Sequence, residues 1–281
     1  MQDPRQTTQI ANPQITVCHP DGERAQSLQT ATKLLISVRN VQEAALVRDA
    51  GVDWIDLKEP QAGALGRSSL SEARAVAELL KDHPQRSAAL GELVELDEQI
   101  AFDFAPLFPY LKVGLSRIGS QDLAGSNWQV RFEWISSRLR SLGAELIPVA
   151  YADGLNCNAP SLQEVMQVTQ RVGASHLLID TFIKDGRSLL DWLSLDDLQR
   201  VIQTARAFNC GTVLAGSLKI ANVAELLKLR PAALAVRGAV CQSSASTDQK
   251  VTCIQPRIAP IDPGKVEMWC SSVCDIGPCH V

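Results

Sequence analysis

The chain has 281 residues, 46% hydrophobic and 21% charged, which fits one large globular domain or two smaller ones. Its net charge of −4 and pI near 5.6 argue against nucleic acid or an anionic membrane as the main partner, since both favour basic patches. The N-terminus lacks a basic start followed by an apolar segment, and no apolar stretch approaches the roughly 20 residues that span a bilayer. We therefore expect a cytoplasmic protein that binds neither nucleic acid nor membrane.

In chain order, residues 1–32 are polar and show no sustained hydrophobic period, which predicts a flexible extension. From Lys33 onward, short apolar runs typical of strands covered on both faces alternate with stretches of helical spacing. The predicted strands are 34–38, 53–57, 87–90, 110–115, 146–150, 176–180, 212–215 and 232–236. The first predicted helix begins after Asn40, which can cap it. The other predicted helices are 71–82, an acidic stretch that reaches Leu107, 128–142, 161–172, 195–208 and 221–229.

Eight strands that alternate with helices, with no long linker between halves, favour a single (β/α)8 TIM barrel over a doubly wound sheet. We assign the barrel to residues 33–241 and treat 242–281 as a divergent C-terminal segment that contains cysteines. In such a barrel the reactive groups lie at the C-terminal ends of the strands.

Two lysines are placed where an enzyme could use them. Lys58 ends the second predicted strand and opens a loop that contains Gly63 and Gly66, a position suited to the amine of a Schiff-base enzyme. Lys112 lies in the fourth strand on the face opposite Leu111, so the alternation of side chains predicts that it points into the barrel. The alternative is a solvated lysine on an edge strand, which a closed barrel does not have.

A carboxylate and an amine follow the sixth strand. Asp180 ends the strand and Lys184 lies four residues later in the loop. Such a pair can exchange protons with a bound intermediate, because burial and mutual charge shift both pKa values. The alternative is a solvated salt bridge, which is common and contributes little.

A phosphate site is predicted beside the seventh and eighth strands. Gly216 and Ser217 follow the seventh strand, and Arg237 and Gly238 follow the eighth. Barrels commonly bind phosphate there through backbone N–H groups and a helix N-terminus. Arg237 can add a bidentate contact to phosphate or pair instead with a neighbouring acid.

Metal ions and disulfides are not expected. The eight cysteines are scattered through an enzyme-sized chain, which favours free thiols. The spacing of Cys270, Cys274, Cys279 and His280 does not match a zinc site, and the four histidines are dispersed, which argues against a metal-dependent lyase. We expect neither a metal nor another cofactor.

Five blocks, in matching order, resemble the (5-formylfuran-3-yl)methyl phosphate synthase family. They are residues 56–60 with 63–66, 111–114, 179–181 with 184–186, 215–218 and 237–241. The resemblance implies a class I aldolase-like barrel enzyme that condenses two glyceraldehyde 3-phosphate molecules, with loss of phosphate and water, into a phosphorylated furan aldehyde for methanofuran-type C1 carriers. It also implies that Lys58 forms the Schiff base and that Lys112, Asp180 and Lys184 are catalytic.

Two alternatives stay open from the sequence. Another phosphosugar class I aldolase or isomerase would use the same phosphate turns, and a catalytically silent barrel could act as a binding subunit. The identity of the product formed from glyceraldehyde 3-phosphate, a small phosphorylated triose, would distinguish these alternatives. The sequence also leaves open whether the chain forms a homo-oligomer.

Overall fold

The computed structural model describes residues 31–118, 127–243 and 256–274. Within them, eight parallel strands pair in sequence order and the eighth pairs with the first, so the sheet is a closed barrel. The strands are β1 Lys33–Val38, β2 Trp54–Leu57, β3 Arg86–Glu92, β4 Tyr110–Gly114, β5 Glu145–Tyr151, β6 His176–Asp180, β7 Gly211–Leu214 and β8 Ala233–Val236. The predicted TIM barrel is confirmed.

Helices cover the outside of the barrel, and each follows a strand. They are α1 Val41–Asp49, α2 Leu70–Leu79, α3 Glu98–Phe104, α4 Trp128–Ser141, α5 Leu162–Val172, α6 Leu195–Ala207, α7 Val223–Lys228 and α8 Pro263–Cys274. Their starts follow from local chemistry: the Asn40 side chain accepts from the Glu43 N–H, as predicted, and Ser161 and Ser194 form capping boxes.

The apolar residues form two cores that differ in position. The larger core lies between the strands and the helices and includes Leu111, Val113 and Leu115. The smaller core fills the barrel interior, where the rings of Trp54 and Tyr110 lie with centroids 5.3 Å apart. This plug closes the N-terminal end of the barrel, so the chemistry is restricted to the opposite mouth.

The C-terminal segment supplies the last helix of the barrel. Helix α8 buries Val266, Trp269 and Val273 and contacts β1, α1 and α7. The chain just before α8 is held to the end of the barrel by an antiparallel bridge between Cys241 and Ile261. The eighth helix therefore lies beyond residue 241, within the segment that the sequence pattern sets apart.

Several predictions fall on the termini. Residues 1–30 of the predicted extension, and the cluster members Cys279 and His280, lie outside the described residues. In the described ranges, no group of three or more His, Cys, Asp or Glu residues could hold a metal ion.

No helix of the described part is both long and apolar enough to cross a membrane. The free thiols described are Cys157, Cys210, Cys241, Cys270 and Cys274.

Candidate active site

All eight residues predicted from the sequence line one cavity of about 490 Å³ at the C-terminal mouth of the barrel. They are Lys58, Lys112, Asp180, Lys184, Gly216, Ser217, Arg237 and Gly238. The parallel strands deliver these residues to one place, although they are spread over 181 positions, from 58 to 238.

Lys58 presents its amine to this cavity directly after β2. Burial, the largest cause, lowers the pKa of Lys58; the Asp180 and Asp56 carboxylates oppose the shift and the cations Lys184 and Lys112 add to it, so that the pKa falls from 10.5 to about 8. Within the described residues its Nζ makes no hydrogen bond and no ion pair. A lysine amine in this state is available as a nucleophile near neutral pH.

Lys112 points into the barrel, as the alternation in β4 predicts. Its side chain is 4% exposed, and its Nζ lies 2.7 Å from a carboxylate oxygen of Asp56 on β2. The Asp56 carboxylate also accepts hydrogen bonds from the hydroxyls of Ser37 (3.0 Å) and Ser87 (2.7 Å). Asp56 was not among the predicted site residues, although its position two residues before Lys58 on the same face of β2 is a signal for it.

Asp180 and Lys184 form a second ion pair beside Lys58. The Lys184 Nζ lies 2.7 Å from Asp180 Oδ1, and the two side chains are 15% and 4% exposed. Burial raises the pKa of Asp180, but the charges of Lys184 and Lys58, with hydrogen bonds from Lys184 and the Thr181 N–H, lower it below its ordinary value. Asp180 is therefore a carboxylate at neutral pH, and because Asp180 is buried and Lys184 partly buried, the pair is not a solvated surface bridge.

A residue that the sequence reasoning missed holds the loop carrying Lys184. The buried carboxylate of Asp153, from the loop after β5, accepts hydrogen bonds from the N–H groups of Phe182 (2.7 Å) and Ile183 (2.8 Å). Because a carboxylate bound to two backbone donors fixes the local chain direction, Asp153 orients the segment between Asp180 and Lys184.

A second missed group lies above the C-terminal end of β4. The Tyr151 hydroxyl donates to Glu92 at 2.6 Å, and the other Glu92 oxygen accepts from the Ser116 N–H at 2.9 Å. Burial and the Glu92 carboxylate raise the pKa of Tyr151 well above its ordinary range. These two side chains occupy the space above Gly114, where a Cβ would overlap with both of them. The β3–β4 register shifts between Ala89 and Glu92, which explains why strict alternation did not locate Glu92.

The turns after β7 and β8 expose backbone donors to the cavity. Gly216 has φ 98° and Ser217 has φ 51°, and a Cβ on Gly216 would come within 3.0 Å of Thr181. The N–H groups of Gly216, Ser217, Gly238 and Ala239 donate no hydrogen bond to any described residue. Such donors beside a helical turn are suited to an anion.

The structure corrects the expected role of the Arg237 side chain. Its guanidinium lies 2.8 Å from the buried Glu43 carboxylate of α1 and also donates to the carbonyl oxygens of Ser37 and Arg257. These partners occupy the N–H donors that a bidentate phosphate contact would need. Pairing with an acid, the alternative recognised in the sequence, is therefore the arrangement observed.

Comparison with known proteins decides the family. A family model described as 4-HFC-P synthase matches residues 34–254, which is most of the chain. The chain belongs to the 4-HFC-P synthase family. The resemblance read from the five sequence blocks is thereby confirmed, and the chain is an enzyme of this family.

Relatives of the 4-HFC-P synthase chain carry a consistent name. The (5-formylfuran-3-yl)methyl phosphate synthase of Methanobrevibacter smithii is 29% identical over 214 residues, covering 74% of this chain and 89% of that protein. The enzyme of the same name from Methanosarcina mazei is 25% identical over 241 residues, covering 81% and 98%.

Solved structures of other enzymes share the fold of this family member. Phosphoribosyl anthranilate isomerase from Thermus thermophilus superimposes with a TM-score of 0.58 at 14% identity, covering 88% of this chain and all of that chain. Thiamine phosphate pyrophosphorylase from Pyrococcus furiosus gives a TM-score of 0.54 at 13% identity, covering 89% and 100%. At this level of identity the likeness establishes the barrel alone.

Proposed function

We propose that the protein is a (5-formylfuran-3-yl)methyl phosphate synthase that condenses two glyceraldehyde 3-phosphate molecules through a Schiff base on Lys58. One observation carries the proposal: the Lys58 amine, with its pKa lowered to about 8, lies in a cavity that also holds one buried and one partly buried lysine–carboxylate pair. The names of the relatives agree with it.

The reaction balances without a redox partner. Two molecules of glyceraldehyde 3-phosphate contain the atoms of the furan product, one phosphate and two water molecules, so no net oxidation or reduction occurs. The chain's own residues then need only to form an imine, move protons and bind phosphate. No cofactor is part of the proposal.

In the first step the neutral amine of Lys58 adds to the carbonyl carbon of one triose phosphate, and water leaves to give an iminium ion. The positive nitrogen makes a neighbouring carbon more acidic, so a proton can leave it and a new carbon–carbon bond can form. Burial supports this step because it keeps a useful fraction of Lys58 neutral.

The later steps need proton transfer at a second position, which we assign to Asp180 and Lys184. The carboxylate of Asp180 can accept a proton while the ammonium of Lys184 donates one. Asp180 Oδ1 and Lys184 Nζ are 2.7 Å apart. General acid–base catalysis of this kind contributes typically about 10²–10⁴-fold in rate. Lys112 and Asp56 provide a similar pair on the other side of Lys58.

The phosphate groups are assigned to the turns after β7 and β8. The unpaired N–H groups of Gly216, Ser217, Gly238 and Ala239 line the same cavity as Lys58. A small dianionic substrate gains much of its binding energy from such contacts.

The test is chemical trapping of the imine. The protein is incubated with glyceraldehyde 3-phosphate and borohydride, and the modified lysine is located by peptide mass spectrometry; product is followed by mass and by the ultraviolet absorbance of the conjugated aldehyde. We expect one reduced adduct, on Lys58, and furan product in the absence of borohydride. Lys58→Arg keeps the charge but should lose both.

Lys81→Arg is the matched control, because Lys81 is an exposed lysine whose pKa is raised by its partner Glu78. It should behave as the parent protein. Trapping or turnover by Lys58→Arg at the parent level would reject the assignment. A different product from glyceraldehyde 3-phosphate alone would favour another phosphosugar aldolase or isomerase, and no adduct and no product would favour a binding subunit.

A further inference from the structure

Arg257 is the cation that the C-terminal segment brings to the mouth of the barrel. It lies in a short 3-10 turn, Pro256–Ile258, and lines the same cavity as Lys58. Its Nη1 lies 3.4 Å from the carbonyl oxygen of Gly63, in the loop that follows Lys58. The side chain therefore reaches across the mouth from the β8 side toward the β2 side.

Two other arginines hold the backbone of this turn. Arg237 Nε donates to the carbonyl oxygen of Arg257 at 2.7 Å, and Arg39 Nη1 donates to that of Ile258 at 2.8 Å. Arg237 is anchored in turn by Glu43. These charge-assisted bonds from buried or half-buried groups fix the backbone of the turn, so the barrel sets the point from which the Arg257 side chain extends.

The turn also lies against the predicted phosphate site. A Cβ on Gly238 would come within 3.7 Å of the Arg257 backbone nitrogen and 3.8 Å of its Cβ. The Arg257 backbone is therefore in van der Waals reach of the β8 turn whose N–H groups face the cavity.

The other cationic side chains of the cavity lie close to carboxylates or must be neutral to react. Lys112 and Lys184 are each offset by a carboxylate at 2.7 Å, and Lys58 must be neutral to react. These three amines therefore contribute little net positive charge toward a phosphate dianion. Arg257 lines the same cavity, within the field of the Asp180 carboxylate, and its guanidinium is a planar donor group of the kind that binds phosphate.

We propose that Arg257 binds a phosphate group of the substrate, the part that the sequence suggests for Arg237, while Arg237 and Arg39 position the turn that carries it. The inference rests on the proposed function and adds a substrate-binding residue to it. The ligand chemistry is a phosphate monoester, on the triose held by Lys58 or on the second triose.

The experiment compares Arg257→Ala and Arg257→Lys with Arg74→Ala, which removes an exposed arginine of α2. Imine trapping is measured against glyceraldehyde 3-phosphate and against glyceraldehyde, which lacks the phosphate. We expect Arg257→Ala to raise the half-saturating concentration of the phosphorylated substrate about 10- to 100-fold and to leave glyceraldehyde unchanged. Arg257→Lys should recover part of the loss, and Arg74→Ala should show none.

The step that Arg257→Ala impairs tells whether Arg257 binds the phosphate of the first or of the second triose. A defect already present in trapping places Arg257 on the phosphate of the first triose; a defect confined to furan formation places it on the second. An equal loss with both trapping substrates, or no loss with the phosphorylated one in either assay, would overturn the inference. Because Arg237 and Arg39 bind backbone oxygens, which the variants keep, melting temperatures should stay close to the parent.

Binding of inorganic phosphate, followed by calorimetry, tests the inference without the imine chemistry. Arg257→Ala should weaken phosphate binding by a similar factor, while Lys58→Arg should leave it largely intact. If the parent protein forms no adduct and yet loses phosphate affinity in Arg257→Ala, the proposed reaction fails and the phosphate-binding role of Arg257 stands. Unchanged phosphate affinity in Arg257→Ala would count against that role.

Discussion

The depressed pKa of Lys58 sets the pH range in which the amine can react. With a pKa of about 8, on the order of one-tenth of the amine is neutral at pH 7, against about 0.03% for a lysine at 10.5. The site therefore raises the reactive fraction at pH 7 by a factor on the order of 300. We expect the rate of imine formation to rise about tenfold per pH unit below 8 and to level off above it.

The assay is single-turnover trapping with cyanoborohydride at saturating substrate from about pH 6 to pH 10. Lys184→Met removes a cation that lowers the pKa of Lys58 and leaves Asp180, which raises it, so the midpoint should move to higher pH. The shift should be smaller than the effect of burial, which is the largest cause. A midpoint near 10 in the parent protein, or a Lys184→Met midpoint that moves down, would refute this account of the amine.

Three further variants test the neighbouring groups. Asp180→Asn should keep folding and imine trapping but nearly abolish the furan product, and normal product formation would leave Asp180 with a salt bridge as its only role. Lys112→Met leaves Asp56 buried without its cation and should lower the free energy of unfolding by about 3–5 kcal/mol in denaturant titrations; unchanged stability would contradict this. Gly114→Ala inserts a methyl group where carboxylate and phenol oxygens lie and should cost about 1–3 kcal/mol, whereas Gly154→Ala, whose Cβ meets nothing nearer than 3.5 Å, should cost less.

The barrel could be predicted from the sequence because its strands follow simple periodicities. Short, largely apolar runs marked all eight strands, and their bounds agree with the observed ones to within two residues. The inward direction of Lys112 followed from alternation alone, because Leu111 and Val113 had to face the helices. These features depend on neighbours along the chain.

The parts that could not be predicted depend on distant partners. Arg237 pairs with Glu43, 194 residues away, and nothing in the local sequence reveals that α1 presents a carboxylate there. Arg257 lies outside the five resembling blocks, in a segment without a recognisable period. Glu92 reaches Tyr151 only because the chain bends at Gly91, where φ is 93° and the β3–β4 register shifts.

The anchorage of the Pro256–Ile258 turn bears on how this enzyme could change its specificity. Arg39 and Arg237 donate hydrogen bonds to main-chain oxygens of the turn, so this anchorage does not depend on which side chain stands at position 257. The lysines and their carboxylate partners, in contrast, come from β2, β4, β6 and the adjoining loops, at some distance along the chain from this turn. The side chain at position 257, proposed above to bind phosphate, can therefore be exchanged without changing the lysines and carboxylates to which we assign the bond-forming steps.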